Sequence, residues 1–250
     1  MPSFRSASIE DGMFSRTDTC HMHVDAGGFA AAAALAEMMD VKHGLACKAV
    51  PVVALTSGPQ RDDSPDAYAE HHPAHDEDPD ADSFASAYLG DTSTLGKARS
   101  VLESIYATHP TAVVELEQVV FDVNWAGEVS AVEEEAPAAR IELAGARQIT
   151  PHVPYEYHHG FNLDRSGPLP DLAELTRQLA DSGVPFGSIY VFDRGDQVAY
   201  RTNCFLATAD HDQLLKERQT TIDVVSHLIG QDVLVKTVLE RVVGIWQPKK

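Results

Sequence analysis

The sequence predicts an α+β fold built on a mainly antiparallel sheet with helices on one face. Three observations predict it: strand and hairpin patterns at both ends of the chain, helical periods between strands, and no regular strand–helix alternation of the kind that builds parallel sheets. The reading divides the chain into an N-terminal ββαβ unit (1–57), a mobile acidic loop (58–91), and a third segment (92–250). That segment holds a helix, a central β-meander and a C-terminal αββαβ unit, and is expected to be one domain with 1–57 or separate from it.

The C-terminal unit is the best marked. Ile189 to Phe192 and Val198 to Tyr200 are aromatic and β-branched, and Asp193-Arg194-Gly195-Asp196 between them has the composition of a hairpin turn. Asp210 followed by Gln213 reads as a capping box. Leu215, Ile222, Val225 and Ile229 then recur at helical spacing until Gly230, and Asp232 to Val243 reads as a closing strand. At the other end, Phe4 to Ile9, Asp11-Gly12 and Met13 to Val24 read as a hairpin. A helix with Phe29, Ala32, Ala33, Ala36 and Met39 on one face ends at His43-Gly44, and a strand over Leu45 to Leu55 follows, with Pro51 at an edge or bulge.

Loose matches accompany the two units: Arg16-Thr17 and Cys20 against Arg201-Thr202 and Cys204, and Lys48-Ala49-Val50 against Lys236-Thr237-Val238. They raise an internal duplication as one reading and chance as the other.

Between the units, Gly58 to Asp91 is dense in Asp, Glu, Pro and Ser and reads as a solvated loop. Leu95, Ala98, Leu102 and Ile105 make a helix after an Asp91 or Thr92 cap. Val113 to Trp125 is a long strand whose apolar parity changes, which a bulge near Gln118 would reconcile. Glu128 to Glu135 and Arg140 to Ile149 continue the meander. Pro151 to Pro170 shows no period and reads as a loop, followed by a helix capped by Asp171 and Glu174 and closed by Gly183.

A net charge of −19 disfavours nucleic acid and anionic membranes as partners. Abundant Asp and Ala with little Lys fit GC-rich coding or a salty cytoplasm. Cys20, Cys47 and Cys204 are an odd, widely spaced set, which suggests neither a zinc ribbon nor a disulfide framework. The expected place is the cytoplasm or a virion, with no secretion signal and no transmembrane segment.

His21-Met22-His23 with Asp25 is the sharpest chemical pattern, because alternate residues of a strand face the same way and can offer two imidazoles and a carboxylate to one metal. Over Thr19 to Asp25 it resembles the HxH of amidohydrolase-type metal enzymes. That resemblance implies an eight-stranded barrel, whose pattern is absent downstream. The segment His152 to Gly160 concentrates His152, His158 and His159 with Tyr155, Glu156 and Tyr157 in what reads as a Pro-bounded loop. The candidate metal ligands are therefore His21, His23, Asp25, His152, His158 and His159, for a divalent metal such as zinc. Against each stands the bland reading of surface and packing histidines. No GxGxxG, Walker A, GxSxG, HExxH or EF-hand loop occurs, which weighs against an enzyme.

Three functions follow as expectations. The first is a non-enzymatic binding or assembly protein, homo-oligomeric through its last strand, that requires no cofactor. The second is a metal-dependent enzyme or metal-binding protein using the clustered histidines. The third is a small-ligand binder with Tyr155 and Tyr157 in its wall.

Overall fold

The computed structural model describes residues 20–58, 79–80, 82–90, 95–131, 140–151, 153–208 and 210–249. Within these the chain runs β1 (Cys20–Asp25), α1 (Phe29–His43), β2 (Ala46–Val50), β3 (Val52–Ser57), β4 (Phe84–Gly90), α2 (Leu95–Thr108), β5 (Val113–Val123), β6 (Val129–Ala131) and β7 (Ala146–Ile149). It continues through β8 (Tyr155–Asp164), α3 (Leu172–Asp181), β9 (Ser188–Arg194), β10 (Gln197–Leu206), α4 (His211–Ile229) and β11 (Lys236–Pro248). The fold is α+β: eleven strands form one sheet, every pairing in it is antiparallel, and four helices accompany it among the described residues.

The sheet closes on itself. Its order is β2-β4-β1-β5-β11-β8-β10-β9-β3, with β6 attached to β5 and β7 to β11. The two ends of that path, β2 and β3, are separated in the chain by Pro51 alone. One extended segment therefore pairs with β4 through its first half and with β9 through its second, which makes a barrel. Proline suits the crossing point because it has no N–H to give to a ladder. The next amide, Val52 N, donates to Ser83 Oγ at 3.0 Å. The expected single strand over Leu45 to Leu55 is thus two strands belonging to opposite ends of the sheet.

The topology repeats. β1-α1-β2-β4-α2-β5 and β8-α3-β9-β10-α4-β11 are both βαββαβ, the ferredoxin-like plan, and in each the last strand lies beside the first. The two halves join along β5 and β11. In this frame β1 corresponds to β8, so Cys20 and Cys204 stand on non-equivalent strands, as do Lys48 and Lys236. The loose sequence matches do not follow the structural repeat.

Outward-facing residues bind the helices. Met22, Val24, Ala85, Ala87, Val114 and Leu116 cluster with Leu35 and Met39 of α1 and with Leu102 and Ile105 of α2. In the second half Phe161, Leu163, Ile189, Val198 and Tyr200 cluster with Leu175 and Leu179 of α3 and Val225 and Ile229 of α4. Helix ends follow local chemistry: Asp171 Oδ1 accepts from Glu174 N at 2.9 Å, Asp210 Oδ1 accepts from Gln213 N at 3.0 Å, and Gly230 ends α4 in the left-handed region at φ 71°.

Several expectations are corrected. The stretch Pro151 to Pro170 is not a loop: ten of its residues form β8, paired on one side with β11 and on the other with β10. Its alternation was hidden because the inward face carries Glu156, His158 and Gly160, while His159 interrupts the outward apolar series of Tyr157, Phe161 and Leu163. The acidic segment 58–91 contains β4, which lies between β2 and β1; residues 59–78 lie outside the described residues. Among the described residues the strands after β5 do not form a consecutive meander, since β6 pairs with β5 and β7 with β11. The parity change in β5 is a bulge two residues from the expected place: Leu239 and Glu240 of β11 oppose Phe121 and Val119, leaving Val120 extra. One sheet includes strands of both 1–57 and 92–250. The strand Phe4 to Ile9, its Asp11-Gly12 turn and the Asp91 or Thr92 cap lie outside the described residues.

The last strand is not an edge. β11 lies between β5 and β8, and Val233, Val235, Val238 and Val242 are all buried within the chain. The apolar surface on which the expectation of self-association rested is covered. No helix among the described residues is long and apolar enough to cross a membrane.

Candidate metal centre

Because side chains alternate across a strand, the partners of the outward core residues point into the barrel. In β1 these are His21 and His23. Their register partners on β5 are Glu117 and Glu115, respectively. On the other side of the seam, Glu156 of β8 is the register partner of Glu240 of β11. Seven ionisable side chains thereby meet in the interior: His21, His23, Glu115, Glu117, Glu156, His158 and Glu240.

Their atoms face one another closely. His21 Nε2 lies 2.8 Å from Glu117 Oε2 and 3.3 Å from Glu240 Oε1, and His23 Nδ1 lies 3.3 Å from the same Glu117 oxygen. His158 Nε2 hydrogen-bonds Glu240 Oε2 at 3.0 Å and stands 3.5 Å from Glu156 Oε1. Glu117 is wholly buried; its carboxyl group pairs with that of Glu156, and His21 approaches it without donating along a hydrogen-bond axis. Ligands of one metal with bonds near 2.1 Å stand about 3.0 to 3.4 Å apart, and the contacts here, from 2.8 to 3.5 Å, bracket that spacing. His21, His23 and Glu117 form a group that could hold a metal ion, and Glu115, Glu117 and Glu156 form a second such group.

The electrostatics favour ligand forms. Burial lowers the pKa of His21 from its ordinary value despite Glu240 beside it. Burial, followed by the neighbouring His21, holds His23 well below that value. Both imidazoles are therefore neutral, the form that binds metal. Burial, then the charges of Glu240 and Glu115, pushes Glu117 well up, and burial with Glu117 does the same to Glu156. Burial would raise Glu240 too, but the neighbouring His21 and the hydrogen bond to His158 hold it low. A divalent cation would remove the mutual repulsion of the others.

Space adjoins the group. The larger of two pockets is lined by His23, Glu115, Glu156 and His158 together with Phe84, Tyr190, Phe192 and Arg201. The smaller shares His23, Phe84, Phe192 and Arg201 and adds Lys48, Tyr88 and Arg194. Burial, then Arg201, lowers Lys48 to about 7.

Of the residues expected as ligands, the structure brings His21, His23 and His158 into the barrel. Asp25 lines the larger cavity, but its Oδ1 accepts from Gly27 N at 3.0 Å and it takes no place in either ligand group. His159 faces the opposite side of β8, where its Nδ1 contacts Thr237 Oγ1 at 2.8 Å and its ring meets Tyr157 edge-on. His152 lies outside the described residues. The four glutamates were missed. Their signal was present: Glu115 and Glu117 alternate with Val114 and Leu116, and Glu240 sits within Val238-Leu239-Glu240-Arg241-Val242-Val243. Charges at the second phase of an otherwise apolar strand mark a polar interior. The eight-stranded barrel implied by the amidohydrolase-like HxH consists of parallel strands, whereas this barrel is antiparallel throughout.

No family model matches this chain, and no curated protein matches it. Among solved structures, a crystal structure study of an anthrone oxidase-like protein matches at 12% identity, covering 92% of this chain and 94% of that one, with a TM-score of 0.25. So low a score carries no argument about fold or chemistry.

Proposed function

We propose that this chain is a metal-dependent enzyme acting on a small molecule inside the barrel, with His21, His23 and Glu117 as metal ligands. The observation that supports it is the convergence of a buried imidazole, a partly exposed one and a buried carboxyl group beside a pocket. Two histidines and one carboxylate leave coordination positions open, a donor set suited to zinc or non-haem iron. A divalent metal held there supplies a Lewis acid and a bound water of lowered pKa. The protein's own groups bind and orient. Arg201, with Lys48 and Arg194 near it, offers positive charge to an anionic group, and Phe84, Tyr190 and Phe192 offer flat apolar faces. The expected substrate class is a small anionic molecule with an apolar, planar part.

This reading sets aside the expectation of a purely structural protein because a buried cluster of carboxyl groups opposes folding unless something stabilises its charge. The test is metal analysis of protein purified without a histidine tag, with calorimetric titration of Zn²⁺ into the apo form. Stoichiometric binding that is lost in a His21→Ala/His23→Ala variant of unchanged far-UV circular dichroism is expected. Absence of binding at micromolar metal would overturn it.

A further inference from the structure

The ligand set divides into two overlapping groups. His21, His23 and Glu117 complete one group, while Glu115, Glu117 and Glu156 complete another, and Glu117 belongs to both. Resting on the proposed function above, we infer that the barrel holds two divalent metals bridged by Glu117. The first is bound by His21 and His23, the second by Glu115, Glu156 and His158.

Three observations carry this. Glu117 belongs to both groups and is wholly buried, with Glu156 against its carboxyl group and His21 and His23 both approaching its Oε2. Glu240 also lies between the imidazoles of the two groups: its Oε1 is 3.3 Å from His21 and its Oε2 is hydrogen-bonded to His158 at 3.0 Å. The arrangement also follows the fold. The first half supplies imidazoles from β1 and carboxylates from β5; the second supplies Glu156 and His158 from β8 and Glu240 from β11. The seam between β5 and β11 puts the bridging positions in the middle.

Dinuclear sites with ions about 3.5 to 4 Å apart clamp both the attacking and leaving oxygens of a displacement, which suits an anionic substrate.

Mn²⁺ is the probe, because one ion gives a six-line electron paramagnetic resonance spectrum and a bridged pair gives an exchange-coupled one. Apo protein titrated with Mn²⁺ is expected to bind two equivalents and to develop the coupled spectrum. Glu156→Gln is expected to bind one equivalent with six lines. One equivalent without coupling in the unsubstituted protein would overturn the second metal while leaving the first; no binding of Mn²⁺, Zn²⁺ or Fe²⁺ would overturn both. Two coupled ions retained in Glu156→Gln would overturn the assignment of Glu156. Should that variant misfold by circular dichroism, Glu115→Gln serves the same comparison, and the unsubstituted spectrum alone decides the count.

Discussion

His21 and Glu117 are register partners on β1 and β5, and their side chains approach to 2.8 Å inside the barrel without a directed hydrogen bond between them. A buried carboxylate in that state opposes folding when nothing is bound and favours binding when a cation arrives. The two effects have opposite signs in one variant.

Glu117→Gln should therefore raise the stability of the metal-free protein at pH 8 by about 1 kcal/mol, because an amide needs no counter-charge. The same change should weaken metal binding by about a hundredfold or more. Thermal melts of apo protein and metal titrations, run side by side, check both directions. A variant less stable and equally tight would count against Glu117 as a ligand.

Barrel closure depends on Gly58. A Cβ added there would stand 1.9 Å from Cε2 of Phe186, a wholly buried ring, while Gly58 N donates to Gly187 O at 3.0 Å. Gly58→Ala should cost about 1 to 3 kcal/mol through overpacking. Adding Phe186→Leu should recover part of it in urea denaturation, since the two sites share the same space.

Tyr157 ties β8 to α4. Its hydroxyl is 2.7 Å from Glu217 Oε2 and 3.0 Å from Pro185 O, and Glu217 is buried. Tyr157→Phe should cost about 1 to 3 kcal/mol, as expected for a buried bond to a carboxylate, and should leave metal stoichiometry unchanged. Loss of metal in a folded Tyr157→Phe protein would show that the outer contact positions the inner ligands.

Acid should unfold the protein partly through His159. Burial lowers this imidazole to about 3, so between there and its ordinary value near 6.5 the unfolded chain binds the proton that the folded chain refuses. Stability from this source is complete above about pH 6.5 and falls as pH drops. His21 and His23, also lowered, act with the same sign. His159→Leu should be less stable by about 1 kcal/mol at neutral pH for want of a partner for Thr237, yet show a flatter stability profile between pH 6 and 4. Parallel profiles for the two proteins would refute the assignment.

Much of the local structure was legible from residue to residue. Asp171 and Asp210 cap helices with their side chains, Gly230 ends one in the left-handed region, and Gly195 turns the β9–β10 hairpin at φ 78°, all of which are decided within a few positions of the chain. The HxH spacing likewise put His21 and His23 on one side of a strand, because strand geometry has a period of two. Which side became the inside was another matter. His158 and His159 are adjacent, and only the pairing of β8 with β10 and β11 sends the first toward Glu240 and the second toward Thr237. Pro51 reads locally as a strand defect, but it is the point where one segment leaves β4 for β9 and closes the sheet. The pairing of β5 with β11 brings Glu117 and Glu240 together from 123 positions apart, within reach of the same imidazole. Contacts of that range depend on strand order and register, which are set by the burial of whole faces against α1 to α4. No short stretch of sequence carries that information.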